Sequence, residues 1–246
     1  MPAPKLLAFD SSTEWLSIAA CRGETTATFG GPGAALVSEI LLPRVRAALA
    51  ELELALIDLD AIAFGAGPGA FTGLRAAAAV AQGLAWGLQR PVIAIDSLML
   101  VAQAAAAAQV YPPDTELAVV VDARMGEVYA ARYRSHAMGG WQTLQAPGLW
   151  APAALASAWD AFWPDAWVGN GVALLADWLG QRGAPSAPFW PAEDPARAAA
   201  LLGLARQAWL RGEHQTAAEG LPIYVRDKVA LTQAERALHA AIAKPR

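Results

Sequence analysis

The segment Gly65-Ala-Gly-Pro-Gly-Ala-Phe-Thr-Gly-Leu-Arg75 places four glycines and a proline within eleven residues. Glycine tolerates positive φ and lets a ligand or another backbone come close, while Pro68 fixes its own φ and pushes Gly67 toward extended backbone. Ala61-Ile62-Ala63-Phe64 before it reads as a buried strand and Arg75 to Gln89 after it as a helix. The loop therefore lies where unpaired helix N–H groups can meet an anion. Gly69, Thr72 and Gly73 are its candidate nucleotide contacts, and a tight turn that shapes a docking helix is the alternative.

Two further loops pair an acid with small polar residues. In Asp10-Ser11-Ser12-Thr13, Asp10, Ser11 and Thr13 could hold a metal ion or a phosphate, and the same residues favour an Asx or Ser turn closing a hairpin. Asp122-Ala-Arg-Met-Gly-Glu-Val-Tyr129 repeats the theme further on. Asp122 and Arg124 there could form a local ion pair of under about 1 kcal/mol if exposed, or join Glu127 in orienting a docking surface.

The reactive sets that would complete an enzyme are missing. Gly65-x-Gly67-x-x-Ala70 formally matches a dinucleotide loop, but Pro68 interrupts it and no acid ends the next strand before Asp96. No Gly-Lys-Ser/Thr follows, so a Walker A loop fails. His136, His214 and His239 lack metal-ligand spacing, and the single cysteine, Cys21, sits in an apolar strand-like run, so a cysteine zinc site and an internal disulfide are both excluded. There is no Ser-His-Asp order with a nucleophile elbow and no evident carboxylate dyad. Ligand-type loops without a reactive set point to a partner subunit derived from an enzyme scaffold.

The elements that must position these loops alternate strand and helix. Lys5–Asp10, Leu16–Arg22 and Thr25–Phe29 read as a three-stranded meander, followed by a helix over Ser38–Glu51. The strand Ala61–Phe64, the helix from Arg75, the strand Val92–Ile95 and the helix Ser97–Ala108 follow, an order that predicts an α/β fold with parallel strands in its later part. Tyr111-Pro-Pro-Asp-Thr115 marks a boundary, after which Leu117–Asp122 and Val128–Tyr133 begin a second strand set. Ser135 to Trp159, with its glycines, prolines and glutamines, reads as loop and short element. Helices are expected over Pro152–Phe162, Val172–Gln181 and Pro195–Arg211, with Trp159, Trp163, Trp178 and Trp209 as packing residues rather than base-stacking ones. Gly83 and Gly87 share one face of the helix after the loop, where each costs about 1 kcal/mol relative to alanine. Something must pack closely there, either a helix of the same chain or a second protein.

A net charge of −4 lacks the basic face of a nucleic-acid binder, so RNA would be met through a partner. The uncharged stretch Ser97–Pro113 is too short and too polar to span a bilayer, and the amino terminus lacks a signal-peptide pattern, so a cytoplasmic protein is expected.

The stretches Leu7–Glu14, Ala63–Arg75, Ala81-Gln-Gly-Leu-Ala85, Asp122–Tyr129, Val168-Gly-Asn-Gly171 and Tyr224-Val-Arg226 together resemble the TsaB family, also called YeaZ, along nearly the whole chain. The resemblance implies an actin-like ATPase or sugar-kinase type fold of two related lobes with mixed sheets flanked by helices. The first lobe would span 1–109, with 221–246 packing back on it, and the second 110–220. It implies a non-catalytic subunit that pairs with TsaD, the enzyme that forms threonylcarbamoyladenosine next to the anticodon in tRNAs reading codons that start with adenine. TsaE, an ATPase, would join a larger assembly, and the chain alone could form a homodimer. The partner face would comprise Leu41, Val45, Arg75, Ala79, Gly83 and Gly87, with Asp122, Arg124, Glu127 and Arg226 in docking or structural roles. It implies no metal and no cofactor of its own, with ATP or ADP entering only at the partner junction. Val37 stands where family members often carry histidine, and the Asp10 loop lacks the glycine of kinase-type phosphate loops. Two other classes remain open on the same fold: an autonomous ATP-dependent phosphotransferase or ATPase with Asp10 holding the metal, and a glycoprotease-like metallopeptidase, for which the ligands are missing.

Overall fold

A computed structural model describes residues 3–33, 37–109, 111–136, 140–183 and 196–225. Its first sheet begins with the expected meander, β1 (Lys5–Asp10), β2 (Trp15–Arg22) and β3 (Thr25–Pro32), antiparallel with Leu6 opposite Cys21 and Asp10 opposite Ser17. Two strands join β1 on its other side in parallel, β4 (Ala61–Gly67) and then β5 (Val92–Asp96), giving the order β3-β2-β1-β4-β5. Strand side chains alternate between faces. Leu7, Phe9, Leu16, Ile18, Ile62 and Phe64 meet α1 (Val37–Glu51) and α2 (Phe71–Leu88). Leu6, Ala8, Ala19, Cys21, Ala63 and Ile93 meet α3 (Ser97–Ala108) and α6 (Ala196–Leu210). Cys21 is thus a core residue. Both faces being covered is why these strands read as nearly continuous apolar runs.

The second sheet contains β6 (Glu116–Arg124), β7 (Glu127–Ser135), β8 (Trp141–Trp150) and β9 (Ala166–Val168) in the order β8-β7-β6-β9, with β9 parallel to β6. This repeats β3-β2-β1-β4: a meander whose first strand takes a parallel neighbour. The two lobes are related by topology. Two of these strands are absent from the sequence reading. β8 lies at the sheet's edge with an irregular register against β7, so Pro147 and Gly148 are tolerated and the alternation is blurred. β9 has three residues, too few to show a period. The segment expected as one helix over Val172–Gln181 is a 3₁₀ turn, Asn170–Leu175, followed by α5 (Ala176–Gly180). These, with α4 (Pro152–Ala158), cover the sheet thinly, and Trp159 and Trp167 fill the layer that longer helices would occupy.

α3 is the wall between the sheets. Its Leu100 and Ala104 pack with the first sheet and α6, while Leu98, Val101, Ala102 and Ala105 pack with Leu117, Val119 and Tyr133 of the second. The expected lobe boundary needs one correction. α6 falls within 110–220 but covers the first sheet, because the chain returns to that sheet after completing the second. Residues 221–225 then run along the glycine loop, with Ile223 N donating to Ala66 O at 2.7 Å. The remainder of the 221–246 segment, including Arg226, lies outside the described residues. No described helix is long and apolar enough to cross a membrane.

Gly83 and Gly87 are not covered by any described residue: a Cβ built on either meets nothing within 4 Å. The same-chain helix proposed for that face is therefore ruled out among the described residues. Gly83→Ala and Gly87→Ala should each stabilise the isolated chain by about 1 kcal/mol in urea denaturation, since only helix propensity changes.

Candidate functional site

The Asp10 turn and the glycine loop meet at the carboxyl ends of β1 and β4. Asp10 is fully buried. Its Oδ2 accepts from Ser12 Oγ at 2.9 Å and from Arg197 Nη2 at 2.9 Å, and its Oδ1 accepts from Ser97 Oγ at 3.3 Å. Ser11 Oγ donates to Gly73 O at 2.9 Å, and Ala70 N, at the start of α2, donates to Ser12 O at 2.7 Å. The glycines are there so that this turn can sit against them. A Cβ would lie 1.8 Å from Asp10 Oδ1 at Gly65, 2.3 Å from Ser12 O at Gly69 and 1.9 Å from Ser11 O at Gly73. The cradle the sequence offered to a phosphate is filled by the protein's own turn.

The second lobe repeats the device. Its β6–β7 turn, Asp122 to Glu127, corresponds to the β1–β2 turn, and the loop after β9 takes the part of the glycine loop. A Cβ at Gly169 would lie 2.1 Å from Val120 O, and one at Gly171 2.7 Å from Val121 C. Asn170 Oδ1 accepts from Asp122 N at 2.9 Å, and Asp122 Oδ1 from Arg124 N at 2.7 Å. The Asp122–Arg124 ion pair forms at 3.5 Å, but the shorter contact of Arg124 crosses to Glu14 of the first lobe at 2.7 Å. Glu127 stands opposite Arg124 in the β6–β7 register. With Arg124 and Glu14 largely exposed, the bridge is worth under about 1 kcal/mol.

Between the two turns lies a cleft of about 670 Å³. Thr13 and Gly69 face it, together with Trp15, Phe71, Asp122, Asn170 and Tyr224. Of the other candidate nucleotide contacts, Asp10, Ser11 and Gly73 are buried beneath its lining and Thr72 is exposed on α2 outside that lining. The fold class implies a nucleotide with its magnesium ion here, and the first lobe does not fit that pair. The metal's carboxylate already accepts from three donors, one of them cationic, and Ala70 N at the amino end of α2 is met by Ser12 O. Among the described residues no three His, Cys, Asp or Glu side chains cluster as metal ligands.

The expected partner face divides. Leu41 and Val45 are fully buried in the core under α1, so they cannot meet a partner, which corrects their assignment: an apolar helical stripe marks the core side. Ala79, Gly83 and Gly87 are exposed along α2, beside Trp86 at 76 % exposure. Arg75 lies 3.8 Å over the Phe71 ring and its Nε donates to Tyr224 Oη at 3.2 Å, fastening the returning segment to α2.

Arg197 and the Tyr133–Asp96 pair were not foreseen. Arg197 carried one signal: it shares a stripe with Leu201, Leu204, Ala205 and Ala208, which puts a charge on a buried face. Tyr133 Oη of the second sheet donates to Asp96 Oδ2 at 2.6 Å, and Asp96 caps α3 through Leu98 N and Met99 N. Burial holds the Asp96 carboxyl above its usual 3.8, against the bonds from Tyr133, Leu98 and Met99 that lower it. Burial, then the Asp96 charge, pushes the Tyr133 phenol well above its usual range.

In fold these are the features of an actin-like ATPase of the sugar-kinase type, two related α/β lobes with an interlobe cleft. Residues 33–146 match the family model described as TsaD: tRNA N6-adenosine threonylcarbamoyltransferase. The tRNA threonylcarbamoyladenosine biosynthesis protein TsaB of Escherichia coli K12 is 31 % identical over 242 residues, covering 92 % of this chain and 96 % of that protein. The Haemophilus influenzae TsaB is 44 % identical over 125 residues, 50 % of this chain and 51 % of its own length. The solved structure of YeaZ from Pseudomonas aeruginosa superposes with a TM-score of 0.74 at 38 % identity, covering 90 % of this chain and 99 % of that one. The chain belongs to the TsaB family.

Two measurements probe this geometry. Gly73→Ala drives a methyl into the Ser11 carbonyl, a rigid neighbour, and should lower stability by about 3 kcal/mol in urea denaturation. The native state holds the Asp96 proton more tightly than the unfolded chain does, so this group's contribution is greatest in acid and is lost as pH rises from 3.8 through the raised native value. Tyr133→Phe removes a bond that lowers that value, so a carboxyl NMR titration should show the Asp96 midpoint move upward.

Proposed function

We propose that the chain acts in tRNA threonylcarbamoyladenosine biosynthesis as a non-catalytic subunit that pairs with TsaD. The observation that carries the reading is the face of α2: Ala79, Gly83 and Gly87, with Trp86 at their edge, form a helix face that the described residues leave uncovered. Small side chains let a second helix approach closely, and glycines there have no use within the described chain. Family membership supports the pathway, and the first-lobe acid closed by its own donors supports the absence of independent ATP chemistry. ATP or ADP, in this reading, enters at the junction with TsaD, where the partner supplies the contacts the first lobe lacks. TsaE joins as a further subunit, tRNA is met through the complex, and the same α2 face can pair two copies when TsaD is absent.

The test is co-expression with the cognate TsaD. Gly87→Trp should abolish co-purification and reduce threonylcarbamoylation of tRNA at least tenfold, with the variant's circular dichroism unchanged and its melting temperature no lower. Undisturbed binding would remove α2 as the contact face. Threonylcarbamoylation by TsaD and TsaE at full rate without this chain would remove the reading itself.

A further inference from the structure

We infer that Arg197 is the resident cation of the Asp10 turn, occupying by its guanidinium the role a divalent metal would have there and fixing the turn without nucleotide. This rests on the non-catalytic reading only in what it excludes; the contact with TsaD is independent of it. Three observations carry it. Asp10 and Arg197 are both fully buried and paired at 2.9 Å, so neither charge is screened by water and each is the other's compensation. Every group around the carboxylate donates: Ser12, Ser97 and Arg197 point hydrogens at it, and Ser97 Oγ itself accepts from Gly67 N at 3.1 Å. A cation needs oxygen acceptors, and both serine oxygens of this shell are already engaged, Ser12 Oγ by Arg197 Nη2 at 3.2 Å and Ser97 Oγ by Gly67 N. Finally, Arg197 Nε and Nη1 are buried without a hydrogen-bond partner among the described residues, so the described site holds more donors than acceptors and repels a second positive charge.

The consequence is mechanical as well as chemical. The carboxylate ties together the β1 turn through Ser12, the start of α3 through Ser97 and the start of α6 through Arg197, and Ser97 adds the end of β4. Arg197 is therefore a positioning residue that holds the first-lobe loop in one state.

The experiment uses the full chain, with Arg197→Met, Asp10→Asn and the double variant followed by thermal melting, and with MnCl₂ as the cation probe. Each single variant strands a buried charge and should lower Tm by 10 °C or more, whereas the double variant should melt above the less stable single one. Arg197→Lys, which keeps the charge and loses the fork, should fold with a smaller loss and covers the case in which Arg197→Met does not fold. The unsubstituted chain should show no saturable Mn²⁺ binding and no Mn²⁺-dependent change in Tm. Losses that add in the double variant would reduce Arg197 to a packing residue. Saturable Mn²⁺ binding that Asp10→Asn abolishes would overturn the inference and return Asp10 to the metal, and either result leaves the co-purification test with TsaD unaffected.

Discussion

The buried pairing of Asp10 with Arg197 is the interaction on which the rest of the first lobe depends. Two charges removed from water are tolerable only together, so the strand that carries one must always find the helix that carries the other. That requirement brings a helix from late in the chain, α6, onto the sheet built by its first hundred residues, closing the second face of β1 and β2. It also determines the loop above. With the carboxylate held down, the Asp10–Ser12 turn lies flat against Gly65, Gly69 and Gly73, and only glycine leaves room for it.

The same arrangement occurs twice, with a buried ion pair at the first aspartate and a solvent-facing one at the second. In both lobes the first strand carries an aspartate at or near its carboxyl end, Asp10 or Asp122, and the fourth strand leads into a glycine loop pressed against that end. In the second lobe Asn170 meets the Asp122 backbone, and Asp122 stays at the cleft wall, partly exposed. The lobes differ in chemistry on a shared topology: one end is sealed, the other open to what enters the cleft. α3 stands between them with one face to each sheet, and Tyr133–Asp96 fastens its amino end to the second lobe.

Much of this was legible in residue types. The meander, the parallel β4 and β5, and the helices α1 and α3 follow from short apolar runs, or from helical spacing in α1, bounded by turn-forming residues. α2 begins at Phe71, four residues before Arg75, with Ala70 N bonded to Ser12 O and no side-chain cap to announce the start in the sequence. β8 and β9 were hidden by edge irregularity and brevity. The site was harder. Gly65, Gly69 and Gly73 announce close approach but not what approaches, and sequence alone does not distinguish a phosphate from the carbonyls of Ser11 and Ser12. Leu41 and Val45 show the converse: an apolar stripe identifies the buried side of a helix, so the outward side has to be read from what remains, in α2 from Ala79, Gly83 and Gly87.

The bare face of α2 has a thermodynamic consequence for the chain's persistence. Two glycines weaken a surface helix by about 2 kcal/mol in total, a sizeable share of a domain's usual margin, and the isolated protein carries that deficit. Any molecule that binds this face of the folded state adds to its apparent stability by mass action. The fraction of chains open to proteolysis would then fall as the concentration of any such molecule rises, coupling the amount of this protein to the amount of whatever covers α2.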